Sequence, residues 1–139
     1  MTRPVIKVNV WLLLAGLNGV LAVAMGAMGA HSLGIERGSE AYYIFTQGTD
    51  FHLTHSLALL GTSILASLAY NTQGDRLVGW AGSAFQLGIL FFSGSLYWLG
   101  VNGPGSLGSF HWLPPIGGAA LIVGWLALSM ASYKIVLKK

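Results

Sequence analysis

Four long apolar segments, separated by short polar ones, dominate the pattern of this chain. They cover about residues 8–30, 51–70, 77–99 and 114–133, and none of them contains Asp, Glu, Lys or Arg. About 20 apolar residues are enough for a helix to cross the ~30 Å hydrocarbon core of a bilayer. The pattern therefore predicts an all-α membrane protein: a single domain over residues 1–139, folded as a four-transmembrane-helix bundle.

The first apolar segment has a competing interpretation. Arg3 and Lys7 precede it and small residues end it, as in a secretory signal peptide. However, the apolar part of a signal peptide is only ~7–15 residues long, and this segment is longer. We therefore interpret it as the first transmembrane helix.

The polar segment between the first two spans predicts an additional element. Ser39 followed by Glu40 is a typical helix start, and an aromatic cluster suited to the lipid headgroups follows at 42–45. We expect a helix along the membrane interface here. Gly48 would then bend the chain into the second span, and Asp50 would be the N-cap of that span.

Composition supports a membrane location. Only 8% of the 139 residues are charged, 54% are hydrophobic and the mean hydropathy is +0.67, whereas soluble domains carry about 25% charged residues. The net charge of +3 comes from basic residues that mostly flank the apolar segments. We therefore expect membrane lipids, and no nucleic acid, as partners. The chain has no cysteine, which excludes disulfides and thiolate chemistry.

Basic residues also predict the orientation in the membrane. Six lie on the side that holds both termini and the middle turn: Arg3, Lys7, Arg76, Lys134, Lys138 and Lys139. The other side has only Arg37. Because short cytoplasmic loops carry an excess of Lys and Arg, we expect a multi-pass protein with both termini in the cytoplasm.

Small and polar residues within the spans predict how the helices meet. Small side chains let helices approach closely in a membrane. The residues that we assign to helix packing are Gly19, Ala22, Gly26, Ser93, Gly94, Ser95, Gly117 and Gly118. Asn18 and Gln86 carry amides, and an unpaired amide in lipid is costly, so we expect both to be buried inside the bundle.

Three histidines and one carboxylate gather at one predicted membrane boundary: His31, His52, His55 and Asp50. Imidazole and carboxylate ligands suit copper, zinc or haem iron. His52 and His55 are three residues apart, so on a helix they occupy neighbouring positions. The other interpretation is structural, with His31 capping the end of the first helix and His55 hydrogen-bonded to a neighbouring helix.

Four sequence blocks, taken together, resemble a known family. They are GAMGAH at 26–31, His55 followed by SLALLG at 56–61, FSGSLY at 92–97, and PIGG at 115–118 followed by GW at 124–125. In this order they resemble the small bacterial inner-membrane proteins of the domain of unknown function 423 family, with animal relatives similar to transmembrane protein 256. The resemblance implies four transmembrane helices in a bacterial inner membrane, and it implies no reaction.

The chain departs from that family near the predicted outer boundary. The family usually has a Tyr–Gln pair ahead of the second-helix histidine, where this chain has Phe51 and His52, and a threonine where it has Pro114. These differences predict an altered polar network and the gain of one histidine.

No arrangement of residues in the sequence indicates an enzyme. We expect a protein without catalytic activity or cofactor: a packing or accessory subunit of a larger membrane complex, or a homo-oligomer. Two alternatives stay open. One is a protein that binds copper, zinc or haem through the outer histidines, and the other is a protein that binds lipid or quinone, or transports a small molecule.

Overall fold

The computed structural model describes residues 9–70 and 73–136. These residues form α1 (Val10–His31), α2 (Glu40–Ala69), α3 (Asp75–Gly88), a π-helical segment (Ile89–Ser93), α4 (Gly94–Asn102), a 3₁₀ turn (Gly108–Phe110) and α5 (Leu113–Val136), and none of them forms a strand. The π-helical segment joins α3 and α4 without a break, and we call these three elements the rod. Within the described residues, four helical stretches are long and apolar enough to cross a membrane, which confirms the predicted fold class.

Several residues used in the predictions lie outside this description. They are the basic lead with Arg3 and Lys7, the start of the middle turn at 71–72, and the terminal Lys138 and Lys139.

Contacts at the two ends of α1 and α2 show that these helices run antiparallel. Near the end of α1, Gly29 lies against the ring of Phe45, close to the start of α2. Near the start of α1, the Asn9 Nδ2 donates to the Ser63 carbonyl, close to the end of α2, over 2.9 Å.

The rod contacts both α2 and α5. A Cβ added to Gly48 of α2 would lie 3.0 Å from the Cβ of Leu96, and one added to Gly124 of α5 would lie 2.6 Å from the ring of Phe85. Phe85 is fully buried, in the apolar core that α1, α2, the rod and α5 share. The glycines therefore let the helices approach closely, as is typical of membrane bundles.

α2 is longer than predicted and is one uninterrupted helix. It starts beside Ser39, which caps it as expected, and continues for 30 residues through Gly48 and Asp50. At 1.5 Å per residue it is ~45 Å long, which exceeds the ~30 Å hydrocarbon core. The predicted interfacial helix is thus the first part of α2, and the predictions of a bend at Gly48 and an N-cap at Asp50 are wrong. Gly48 instead lets Leu96 approach the α2 backbone.

The small residues assigned to packing fall into two groups. Six are buried or contact a neighbouring helix: Ala22, Gly26, Ser93, Ser95, Gly117 and Gly118. The other two differ, because a Cβ added to Gly19 or Gly94 would meet no atom within 4 Å. These two glycines face space that the described bundle leaves open. Other glycines at close helix contacts are not among the residues predicted from the spacing of small side chains. They are Gly29, Gly48, Gly82, Gly88 and Gly100.

Candidate functional site: a buried polar network beside a lateral cleft

A chain of hydrogen bonds joins α1, α2 and the rod. The Asn18 Nδ2 of α1 donates to the Gln86 Oε1 of α3 over 2.8 Å. The Asn18 Oδ1 lies 3.1 Å from the His52 Nε2 of α2, and the His52 Nδ1 lies 3.0 Å from the Tyr97 hydroxyl of α4. Asn18 and His52 are buried, and Gln86 and Tyr97 are half-buried. Both amides that the sequence places within spans thus belong to one interhelical network.

The contacts of Asn18 determine which of its atoms donates. Its Nδ2 also donates to the Leu14 carbonyl over 2.8 Å. A carbonyl oxygen only accepts hydrogen bonds, so the amide nitrogen must face Leu14, and its two hydrogens go to Leu14 and Gln86. The amide oxygen is left to accept from the His52 Nε2, which therefore carries a hydrogen.

His52 uses both of its ring nitrogens within the network. A charged imidazole without an anionic partner is costly to bury, so the neutral form is the one that fits this site. With the hydrogen on Nε2, the Nδ1 accepts from the Tyr97 hydroxyl. The imidazole of His52 therefore has no free donor or acceptor.

His55 has the opposite tautomer. The Trp125 Nε1 only donates and lies 3.2 Å from the His55 Nε2, so that nitrogen accepts. The hydrogen of His55 is then on Nδ1, which donates to the Phe51 carbonyl over 2.7 Å. The imidazole also stacks on the Phe51 ring, with 5.7 Å between centroids. His55 thereby ties α2 to α5.

The π-helical segment explains how the rod reaches two different neighbours. Positions 86 and 97 are eleven residues apart, which in an uninterrupted α-helix is about three turns, so both side chains would face the same way. The wider turn at Ile89–Ser93 changes this register. As a result Gln86 meets α1 while Tyr97 meets α2.

Ser93, the last residue of the π-helical segment, is 1% exposed, and its hydroxyl has no partner in the described part of the chain. Ser56 shows the usual arrangement, since its hydroxyl donates to the His52 carbonyl four residues earlier. At Ser93 the corresponding carbonyl belongs to Ile89, which accepts from the Gly94 amide five residues later, the spacing of a π-helix.

A cleft of about 210 Å³ lies beside the network, between α1 and the rod. Asn18, His52 and Tyr97 are its polar lining residues. Two more of its lining residues, Leu21 and Leu90, are 55% and 56% exposed. The cleft therefore opens sideways, toward the lipid that surrounds a transmembrane bundle.

The four residues considered as metal ligands do not converge. In residues 9–70 and 73–136, no group of three or more His, Asp, Glu or Cys side chains is placed to hold a metal ion. His31 and Asp50 are exposed, whereas His52 and His55 are buried. Both ring nitrogens of His52 and of His55 have partners in other residues. His52 and His55 thus have the contacts of structural histidines, and the described residues do not bring His31 and Asp50 to them.

Tyr97 and Trp125 are the aromatic partners of the two buried histidines, and the sequence patterns predict no role for either. Spacing gave no reason to choose them, because tyrosine and tryptophan are common near membrane interfaces for other reasons. A usable signal was nevertheless present. Tyr97 ends the block FSGSLY and Trp125 ends the block GW, and both blocks belong to the family resemblance.

Comparison with known proteins assigns the chain to a family. Residues 25–118 match the family model described as "Protein of unknown function (DUF423)". The chain belongs to the DUF423 family. His52, Gln86 and Tyr97 lie inside the matched residues, while Asn18 and Trp125 lie outside them.

Relatives of this DUF423 protein match nearly their whole length. A UPF0382 membrane protein of Staphylococcus epidermidis is 36% identical over 126 residues, which cover 91% of this chain and 97% of that protein. YwdK of Bacillus subtilis, also named a UPF0382 membrane protein, is 35% identical with coverage of 91% and 98%. YgdD of Escherichia coli, named an inner membrane protein, is 28% identical with coverage of 89% and 89%. No solved structure matches the chain.

Proposed function

We propose that this DUF423 protein is a non-catalytic packing subunit of a bacterial inner membrane. It assembles through α1 with a transmembrane helix of another subunit or of a second copy. The observation that carries this proposal is a groove along α1 that no residue of the described bundle fills.

The groove lies between α1 and α2 and encloses about 180 Å³. Gly16 and Gly19 of α1 line it, and a Cβ added to either would meet no atom within 4 Å. Leu53 and Leu57 of α2 also line it. Glycine weakens a helix interior by about 1 kcal/mol relative to alanine, and small residues in transmembrane helices typically mark close contacts with another helix. A partner helix in this groove would account for both glycines.

The burial of the four spans favours the same surface. In the most apolar 18-residue stretch of each span, 17% of the residues are buried in α1, 22% in the span that contains α5, and 39% in both α2 and the rod. α1 is thus the span with the least cover from its own chain, and it is where another helix can add most contact.

Two further features belong to this proposal. The name of YgdD places that relative in an inner membrane, which supports the same location here. Arg76 and Lys134 line one cleft at the end of the bundle where α3 begins and α5 ends. This pairing supports a cytoplasmic position for that end, and for both termini, because positive charge favours the cytoplasmic side.

Native mass spectrometry of the protein, extracted from its own membrane in a mild detergent, tests the assembly. The bare chain is 14.7 kDa, and we expect a complex that is heavier by one or more protein subunits. Gly19→Leu fills the groove and should release the bare chain. Gly94→Leu is the matched control, because position 94 is equally open but lies outside the groove, and it should leave the complex intact.

The masses also distinguish the partner. An added mass that is a multiple of this chain indicates a homo-oligomer, and any other protein mass indicates a larger complex. A wild-type protein that appears only as the bare chain would contradict the proposal. So would a Gly19→Leu variant that keeps the complex.

A further inference from the structure

We propose that the lateral cleft beside Asn18, His52 and Tyr97 binds the hydroxyl group of a lipid-soluble molecule, with the apolar remainder of that molecule lying in the cleft mouth and the lipid. This site shares no lining residue with the groove along α1. It therefore stands independently of the packing function.

The hydrogen-bond inventory of the polar lining decides which chemical group fits. Asn18 Nδ2 has already given both hydrogens, to Leu14 and Gln86. His52 has given its one hydrogen to Asn18, and Tyr97 has given its own to His52. None of these three side chains has a donor left, while the Asn18 Oδ1 and the Tyr97 hydroxyl oxygen can each still accept a hydrogen bond.

A cleft with a free acceptor and no free donor favours ligands that have a hydrogen-bond donor. A ligand hydroxyl can donate to the Asn18 Oδ1 without breaking a bond in the network. A ligand with only a carbonyl or an ether oxygen would have to displace the Tyr97 hydrogen from His52, which leaves a buried imidazole nitrogen unpaired and is therefore unfavourable. The cleft therefore favours alcohols and phenols over ketones and ethers.

The shape of the cleft limits how much of the ligand enters it. Its volume of about 210 Å³ is below the ~300–1,000 Å³ of sites that enclose a whole drug-sized molecule. The remaining lining residues that face the ligand, such as Met25 and Ile89, are apolar. The cleft thus accepts one ring or a short chain segment, and the rest of the ligand extends past Leu21 and Leu90 into the lipid.

Gly94 keeps the cleft open, because glycine has no side chain to fill it. It is exposed, it lines the cleft, and a Cβ added there would meet no atom within 4 Å. A larger side chain at position 94 would fill the cleft without pushing any helix away. This gives a blocking substitution that should not harm the fold.

Calorimetric titration of the full chain in lipid nanodiscs tests the cleft with 4-hexylphenol. We expect binding to the wild type and at least a tenfold loss of affinity in Gly94→Leu. Gly79→Leu is the matched control, since position 79 is equally open but lines a different cleft of the rod, and it should bind as the wild type does. No binding to the wild type, or equal binding to Gly94→Leu, would overturn the site.

The hydroxyl is tested separately with 4-hexylanisole, the methyl ether of the same phenol. We expect it to bind at least tenfold more weakly, which is about 1.4 kcal/mol. Equal affinities of the phenol and the ether would overturn the hydroxyl preference while leaving the cleft as a binding site. 1-Decanol tests whether the hydroxyl must be attached to an aromatic ring. If it binds as tightly as 4-hexylphenol, an aliphatic lipid alcohol suffices. If it binds more weakly, the cleft prefers an aromatic ring.

Tyr97→Phe tests the assignment of hydrogen-bond donors and acceptors in the cleft. This variant removes the hydroxyl that donates to His52, so it frees the Nδ1 as a second acceptor beside the cleft. We expect 4-hexylphenol to bind at least as tightly as to the wild type. A tenfold loss would show that the Tyr97 hydroxyl itself bonds the ligand, and would overturn the assignment of the Asn18 Oδ1 as the accepting atom.

Discussion

At the scale of single residues, His52 and His55 show why two histidines on one helix need not form one site. Three residues on an α-helix correspond to a rotation of about 300°, so the two rings lie on neighbouring but different directions. His52 meets Asn18 and Tyr97, whereas His55 meets Trp125. Each imidazole donates at one nitrogen and accepts at the other, which makes it an interhelical connector.

The hydrogen bonds of His52 lead to a prediction about its replacements. A glutamine side chain has an amide nitrogen that can donate to Asn18 and an oxygen that can accept from Tyr97, whereas leucine has neither. We expect His52→Gln to unfold with nearly the wild-type free energy. His52→Leu should lose about 1–3 kcal/mol, because it leaves buried polar groups unpaired. Denaturation followed by circular dichroism in mixed detergent micelles measures both.

The two variants also serve as each other's control, since both remove the imidazole ring. If His52→Gln were destabilised as much as His52→Leu, the shape of the ring rather than its hydrogen bonds would stabilise this part of the bundle.

The sequence could predict some of the network and not the rest, for physical reasons. Asn18 and Gln86 are amides within apolar segments, and the cost of an unpaired amide in lipid forces them inward. Tyr97 carries no such constraint, because a tyrosine near the end of a span also suits the membrane interface. Its inward direction depends on the π-helical segment at Ile89–Ser93, for which we found no signal in the sequence.

At the scale of helices, the length and charge of the apolar segments were sufficient to predict the number of spans. They were not sufficient to predict where α2 begins. Gly48 was interpreted as a bend because glycine often ends a helix, yet here it gives Leu96 access to the α2 backbone. Glycines at contacts and glycines facing open space have similar spacing in the sequence, so only the neighbouring helix distinguishes Gly117 from Gly94.

Gly117 and Gly118 provide a matched pair that tests this distinction. A Cβ at Gly117 would lie 2.3 Å from the Phe92 backbone nitrogen, which cannot move without displacing the rod. A Cβ at Gly118 would lie 3.7 Å from the Phe92 ring, an ordinary contact. We expect Gly117→Ala to lower the free energy of unfolding by about 1–3 kcal/mol through overpacking. Gly118→Ala should be neutral or stabilising, because alanine favours helix over glycine.

Thermal unfolding of both alanine variants in the same detergent measures the difference. A Gly117→Ala variant as stable as Gly118→Ala would mean that α5 shifts relative to the rod at little cost, and the close contact at Gly117 would not be a determinant of the bundle.

At the scale of the whole molecule, the four spans leave two openings on either side of α1. The groove contains Gly16 and Gly19, and the cleft contains Gly94. Both openings are largely apolar. The groove is lined mainly by apolar and small residues, which suits another helix, while the cleft also has Asn18, His52 and Tyr97 among its lining residues, which suits an apolar ligand with one hydroxyl. α1 thus separates a surface for assembly from a surface for binding, and the variants at Gly19 and Gly94 can test the two independently.

The orientation of the whole bundle is the last prediction, and the absence of cysteine makes it direct to measure. Ser106 lies in the exposed loop between α4 and α5, and Gln73 lies exposed in the turn before α3, at the opposite end of the rod. With both termini cytoplasmic, a membrane-impermeant maleimide should label Ser106→Cys in intact cells, and should label Gln73→Cys only after the membrane is permeabilised. The reverse pattern would place Arg76 and Lys134 outside, against the positive-inside rule. It would overturn the orientation but not the cleft, because the Asn18–His52–Tyr97 bonds lie within the bundle whichever way it crosses the membrane.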